Sequence, residues 1–187
     1  MTEARASAAA TMLLSRAFLF AAERHQHQRR KGDAAEPYVN HLAEVAALVA
    51  EATEGSDPGL VAAALLHDVV EDTATTRAEV AATFGEDVAG LVAEVTDDKS
   101  LPKAERKRRQ VEHAPSKSRR AKMLKLADKT SNLRALAQSP PAKWPVERRL
   151  AYVAWAREVV DGLRGVSPEL EAIFDETALK AEAACKA

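Results

Sequence analysis

At 187 residues with 47% hydrophobic side chains, the chain is long enough for one domain with a sizeable core. A net charge of −1 gives no overall pull toward nucleic acid, and the single cysteine, Cys185, excludes an internal disulfide or a cysteine metal cage. No apolar stretch approaches the ~18 residues of a membrane span and residues 1–10 carry no secretion signal, so the expectation is a cytoplasmic protein.

Alanine and other strong helix formers dominate while β-branched alternation is scarce, which predicts an all-α fold. Residues 1–10 are Ala- and polar-rich and are expected to fray. A first helix follows over 11–24, with Leu13, Leu14, Phe18 and Ala21 on its inner side. A basic block ends it, and residues 32–37 read as a loop. Asn40 suits an N-cap, which places His41 in the first turn of a second helix carrying Leu42, Val45, Ala46 and Val49.

Residues 54–59 form a strong break, with Ser56 or Asp57 as cap and Pro58 near the first helical position. A central helix then runs through the apolar stretch 60–66 as far as Asp72. Short helices are expected from Thr75 to Phe84, stopped by Gly85, and over 87–95. Leu101-Pro102 begins a very basic helix containing Arg106, Lys107, Arg108 and Arg109, broken at 114–116. Residues 117–136 form the next helix, with Met123, Leu124, Ala127 and Leu133 inward. Ser139-Pro140-Pro141 ends it. A helix over 145–163 puts Tyr152 and Trp155 on one side, and Ser167-Pro168 opens the last. With no repeat and no long linker, the expectation is a single domain over residues 11–187, of roughly nine or ten helices.

On the central helix His67, Asp68, Glu71 and Asp72 fall within an arc of roughly 140°. Three acids at the negative end of a helix dipole repel one another and call for a cation, of which a metal ion is the obvious one. His41 on the preceding helix is a candidate for the same site. So is Asp128, an acid in mid-helix that is costly on a buried face unless paired. Asn132 lies one turn further on. Imidazole and carboxylate together suit a hard-to-borderline metal. The plain alternatives are an acidic helix end facing water, an ordinary His41, and an Asp128 paired with Lys125 or Lys129. Between Lys99 and Lys125 stand eleven Lys or Arg against Glu105 and Glu112, and a second basic block holds Arg24, Arg29, Arg30 and Lys31. Both are solvated helix faces or sites for a polyanion, with a small phosphorylated ligand as plausible as RNA.

The order His…His-Asp…Asp, in the contexts HQHQRRK (25–31), PYVNH (37–41), AALLHDVVEDTAT (63–75), EVTDDK (94–99), LPKAERKR (101–108), KLADKTSNLR (125–134) and YVAWA (152–156), resembles the histidine–aspartate (HD) phosphohydrolase superfamily. Within it the chain resembles the hydrolase domain of RelA/SpoT enzymes, and most closely their small stand-alone relatives of the metazoan SpoT homologue type. The resemblance implies a compact helical HD-domain fold and metal-dependent hydrolysis of the alarmone (p)ppGpp at its 3′-diphosphate, giving GDP or GTP and pyrophosphate. It implies one Mn²⁺ per chain, with other divalent ions as substitutes, held by His41, His67, Asp68 and Asp128. Glu71 and Asp72 match the catalytic acidic pair. Arg30, Lys31, Lys103, Asn132, Arg148 and Tyr152 match substrate contacts. The remaining cations, the run 106–109 included, are expected to be solvated or steering charges. Two positions depart from the pattern. Leu42 follows His41 where proline is frequent, and Thr130-Ser131 replaces bulkier residues. Two other functions fit less closely: a related phosphohydrolase such as an NADPH phosphatase, and a non-catalytic nucleotide-binding module. The implied partner is a small nucleotide rather than nucleic acid or a membrane, and the oligomeric state stays open.

Overall fold

The computed structural model describes residues 3–186; Met1 and Thr2, part of the segment expected to fray, and Ala187 lie outside them. Every named element among the described residues is helical, beside one isolated antiparallel bridge between Arg29 and Pro37. The described helices are α1 (Glu3–Arg24), α2 (Val39–Ala52), α3 (Pro58–Leu66), α4 (Val69–Asp72), α5 (Arg77–Phe84), α6 (Glu86–Val95), α7 (Lys103–His113), α8 (Arg119–Gln138), α9 (Val146–Asp161) and α10 (Pro168–Lys186). A 3-10 turn, Ala114–Ser116, separates α7 from α8. None is long and apolar enough to cross a membrane.

Local chemistry sets most boundaries. The Asp57 side chain accepts the Leu60 N–H ahead of Pro58, Thr76 accepts from Glu79 N–H, and Ser118 accepts from Ala121 N–H, each satisfying a donor that a helix start leaves orphaned. Gly85, at φ +89°, stops α5 where a side chain would be strained. Three expectations are corrected. Helix α1 begins at Glu3 rather than Thr11, carried by alanine propensity alone since its first turns are exposed. Its buried residues are Ala17 and Ala21, while Phe18 is 44% exposed. Helix α2 starts after Tyr38, whose carbonyl accepts the His41 N–H at 3.0 Å, so Asn40 is its second residue and not its cap.

The third correction matters most. The central helix is not continuous to Asp72: it stops at Leu66, and α4 restarts at Val69. His67 Nδ1 lies 2.8 Å from the Ala64 carbonyl, the acceptor a continuous helix would offer to the Asp68 N–H. Asp68 itself sits at φ −101°, ψ −4°, in the bridge region. The His-Asp pair therefore occupies a kink between two helices.

The chain divides into two compact units. The first takes residues up to His27 and Tyr38–Asp97, hence α1 to α6. Its centre is α3, buried from Leu60 through Leu66, with α1, α2 and α6 packed around it. Burial of each such leucine contributes about 1.5–3 kcal/mol. The second takes Gln28–Pro37 and the chain from Asp98 onward, hence α7 to α10. There α8 is enclosed by α9 and α10, and it is buried on nearly every side, including Lys125, Asp128 and Lys129.

Candidate functional site

In the first unit the kink presents its polar side chains inward. His41, His67 and their neighbour Asp68 converge: Asp68 Oδ2 lies 3.2 Å from His67 Nε2 and 3.7 Å from His41 Nε2. The two imidazole rings are 5.2 Å apart and both are buried. Since a carbonyl only accepts, the proton of neutral His67 belongs on Nδ1, toward Ala64, which leaves Nε2 with its lone pair directed at the cluster. Tyr38 Oη donates to the same Asp68 oxygen at 2.5 Å, and its ring stacks on buried His25 at 5.1 Å. Sequence reasoning missed Tyr38, although its place three residues before His41 puts it one turn away.

Glu71 and Asp72 follow on α4, both half-buried. Glu71 Oε2 accepts the Asp97 N–H at 3.1 Å, so the segment after α6 fixes that carboxylate. The Asp72 N–H bonds to the Asp68 carbonyl at 2.8 Å, keeping the second acid one turn beyond the first despite the kink. Two buried imidazoles meeting a half-buried carboxylate oxygen, with two more acids on the next turn, are a donor set that fits a divalent cation.

The second unit holds the rest of the expected set. Asp128 is buried on α8, 3.1 Å from Lys129 Nζ and 4.0 Å from Lys125 Nζ. Asn132 Nδ2 donates to its other oxygen at 2.6 Å, so the predicted stacking of the two residues holds. A cationic and aromatic surface lies nearby in the fold. Arg148 Cζ lies 4.3 Å and Lys103 Nζ 5.9 Å from the centre of the Trp144 ring. Tyr152 sits between Trp144 and Trp155, at 5.7 and 5.3 Å. Burial and the Asp128 carboxylate push the Tyr152 phenol up, so it stays protonated and able to donate. Burial lowers the Lys103 ammonium, and Arg148, Lys31 and Arg106 push it further the same way.

Lys107, expected among the solvated charges, is instead half-buried over Trp155 at 4.4 Å and Tyr152 at 5.3 Å. Arg108 and Arg109 do behave as expected: both are exposed and paired, Arg108 with Glu105 and Glu112, Arg109 with Glu105. The spacing held part of this signal, because Glu105 is three and four residues before those arginines while Lys107 has no acid at either distance.

Arg30 and Lys31 ride on the loop Gln28–Pro37, which belongs to this unit. Arg30 Nη2 reaches the Ser131 carbonyl at 3.4 Å, and the Ala34 N–H donates to Ser139 Oγ at 2.9 Å. Gly32 makes that clasp possible, since a Cβ there would overlap the Ser139 carbonyl oxygen. Gly32→Ala is therefore expected to shift the loop and weaken binding of inorganic pyrophosphate, a simple polyanion, by about tenfold, the loss of one charge-assisted contact. Calorimetric titration checks this; unaltered affinity would mean that the clasp does not position these cations.

The HD-domain family profile matches residues 17–156. The guanosine-3′,5′-bis(diphosphate) 3′-pyrophosphohydrolase MESH1 of Drosophila melanogaster is 52% identical over 157 residues, which span 84% of this chain and 88% of that protein. The Homo sapiens MESH1 is 51% identical over 152 residues, 81% of this chain and 85% of its own. Among solved structures, a metazoan orthologue of SpoT that hydrolyses ppGpp matches with a TM-score of 0.85 at 49% identity, covering 88% of this chain and 93% of that one. A Listeria monocytogenes EGD-e protein matches at 0.64 and 34% identity, over 79% of this chain and 99% of its own. On both its profile match and its half-identical relatives, the chain belongs to the HD-domain family and groups within it with the MESH1 pyrophosphohydrolases.

Proposed function

We propose that this protein hydrolyses (p)ppGpp at the 3′-diphosphate, releasing pyrophosphate and leaving GDP or GTP. The observation that carries the reading is the meeting of buried His41 and His67 with Asp68, one turn before the acids Glu71 and Asp72. By the family resemblance, His41, His67, Asp68 and Asp128 would hold one divalent ion, Mn²⁺; His41, His67 and Asp128 are all buried. When bound, such an ion supplies Lewis-acid polarisation of the phosphoryl oxygen and lowers the pKa of water.

The chain's own groups do the remaining work. Glu71, with Asp72, orients a water and takes its proton as the water oxygen attacks the phosphorus next to the ribose. The bond from that phosphorus to the ribose 3′-oxygen breaks, and the 3′-oxygen leaves carrying a proton. Arg30, Lys31, Lys103 and Arg148 offset charge on the phosphates, and Tyr152 and Asn132 offer hydrogen-bond donors to the nucleotide. Incubating the purified protein with Mn²⁺ and ppGpp tests this directly. Released pyrophosphate is expected, with NADPH as the comparison substrate; intact ppGpp after long incubation would sink the proposal.

The cation cluster also sets a pH dependence. Lys103 sits below its ordinary 10.5 because of burial and the cations Arg148, Lys31 and Arg106. Lys107 is lowered by burial and by Lys103, Lys129 and Arg148, with Glu158 opposing. A bound polyanion favours the charged forms, so binding raises these pKa values and takes up protons in that alkaline window. Affinity is thus expected to be constant below the lowered values and to fall as pH rises through them. Calorimetric titration of pyrophosphate in buffers of different ionisation enthalpy measures the uptake; proton release would contradict it.

A further inference from the structure

We propose that Lys107 is a phosphate-binding residue of the nucleotide site and that Trp155 is the positioning residue that holds it there. The inference rests on the nucleotide reading above and adds a contact to it. Two bonds of different kinds fix this lysine to one indole. Trp155 Nε1 donates to the Lys107 backbone carbonyl at 3.1 Å, while Lys107 Nζ lies 4.4 Å from the centre of the Trp155 ring. Lys129 Nζ lies 4.6 Å from the centre of the same ring, so one indole carries two ammonium groups. Tyr152 adds a second aromatic ring at 5.3 Å from Lys107.

The charge balance around this indole is uneven. Lys129 is matched by Asp128 at 3.1 Å, but Lys107, Lys103 and Arg148 form no ion pair among the described residues. Lys107 instead faces Lys103, Lys129 and Arg148, with Glu158 as the opposing acid. Gathering like charges at a half-buried aromatic surface is unfavourable in the free protein and becomes favourable when a polyanion neutralises them. Residues 106–109 divide accordingly: Arg108 and Arg109 are exposed and satisfied by Glu105 and Glu112, whereas Lys107 is turned inward and left for a ligand. Lys103 and Lys107 are one turn apart on α7, as Arg148 and Tyr152 are on α9, so two helices each present consecutive turns to the phosphates.

The test uses the full chain with Mn²⁺ and ppGpp. Lys107→Gln is expected to raise KM about tenfold with kcat little changed, and to flatten the salt dependence of KM, because one screened charge has been removed. Lys107→Arg is expected to restore most of both, which a merely structural lysine would not require. Trp155→Leu keeps the Lys107 charge but removes both of its anchors, so KM rises while the salt dependence stays steep. Thermal unfolding of each variant confirms that it is folded. If wild type leaves ppGpp intact, the hydrolase reading fails, whatever the variants do. If wild type is active and Lys107→Gln matches it in KM and salt dependence, the assignment of Lys107 is overturned.

Discussion

Pyrophosphate release from ppGpp is expected to fall by about 10³-fold or more in the double variant Glu71→Gln, Asp72→Asn, while ion binding is retained. Both changes keep shape and hydrogen-bonding capacity. The amide oxygen of a glutamine at 71 still accepts the Asp97 N–H, so the segment after α6 stays in place. The bond from the Asp72 N–H to the Asp68 carbonyl is made by the backbone and is untouched. What disappears is the carboxylate able to take a proton from water, and general-base catalysis is worth about 10²–10⁴-fold on its own. Calorimetric Mn²⁺ titration beside a pyrophosphate assay separates the outcomes. Activity within tenfold of wild type would place the base elsewhere, and a parallel loss of ion binding would make these acids ligands.

His67→Ala is expected to abolish both ion binding and turnover. The substitution removes Nε2, which faces Asp68 Oδ2, and leaves the Ala64 carbonyl without the ring N–H. That vacancy costs about 1–3 kcal/mol of stability, so thermal unfolding accompanies the measurement and His67→Gln serves as the conservative control. A graded comparison comes from Tyr38→Phe, which removes only the hydrogen bond to Asp68. Losing a partner that orients a ligand typically weakens ion binding by about 10–100-fold, less than losing the ligand itself. Retained ion affinity in His67→Ala would overturn the ligand set.

Much of this molecule is legible in its letters because the determinants are local. Asp57-Pro58 and Gly85 announce their helix ends through side chains and backbone preferences acting within a few residues. Asp128 and Asn132 meet because four residues make one turn. The family motifs account for the family assignment, which the profile match and the relatives establish independently. What escaped the reading depends on competition or on distance. Periodicity alone does not reveal that the His67 ring engages the Ala64 carbonyl and breaks the central helix, since every residue from 60 to 72 is compatible with a continuous one. Nor does it separate Lys107 from Arg108, adjacent cations whose fates diverge because Trp155 arrives from a helix 48 positions later. The unexpected start of α1 at Glu3 has a different origin: alanine forms helix without needing a buried face.

The clasp on the loop Gln28–Pro37 has a consequence for how the protein matures. Ala34 and its partner Ser139 are 105 residues apart, and the Arg30 contact spans 101. During synthesis the loop emerges with the first helices, and these two contacts wait until the ribosome has released the end of α8. Such distant pairings form slowly because the intervening chain must first be organised. Translation thus delivers the acidic kink early and the seat of Arg30 and Lys31 late, so a nascent chain carries the acids of α4 before that loop is fixed to the end of α8. Pulse-proteolysis of stalled chains should find the loop cleavable until synthesis has passed Ser139.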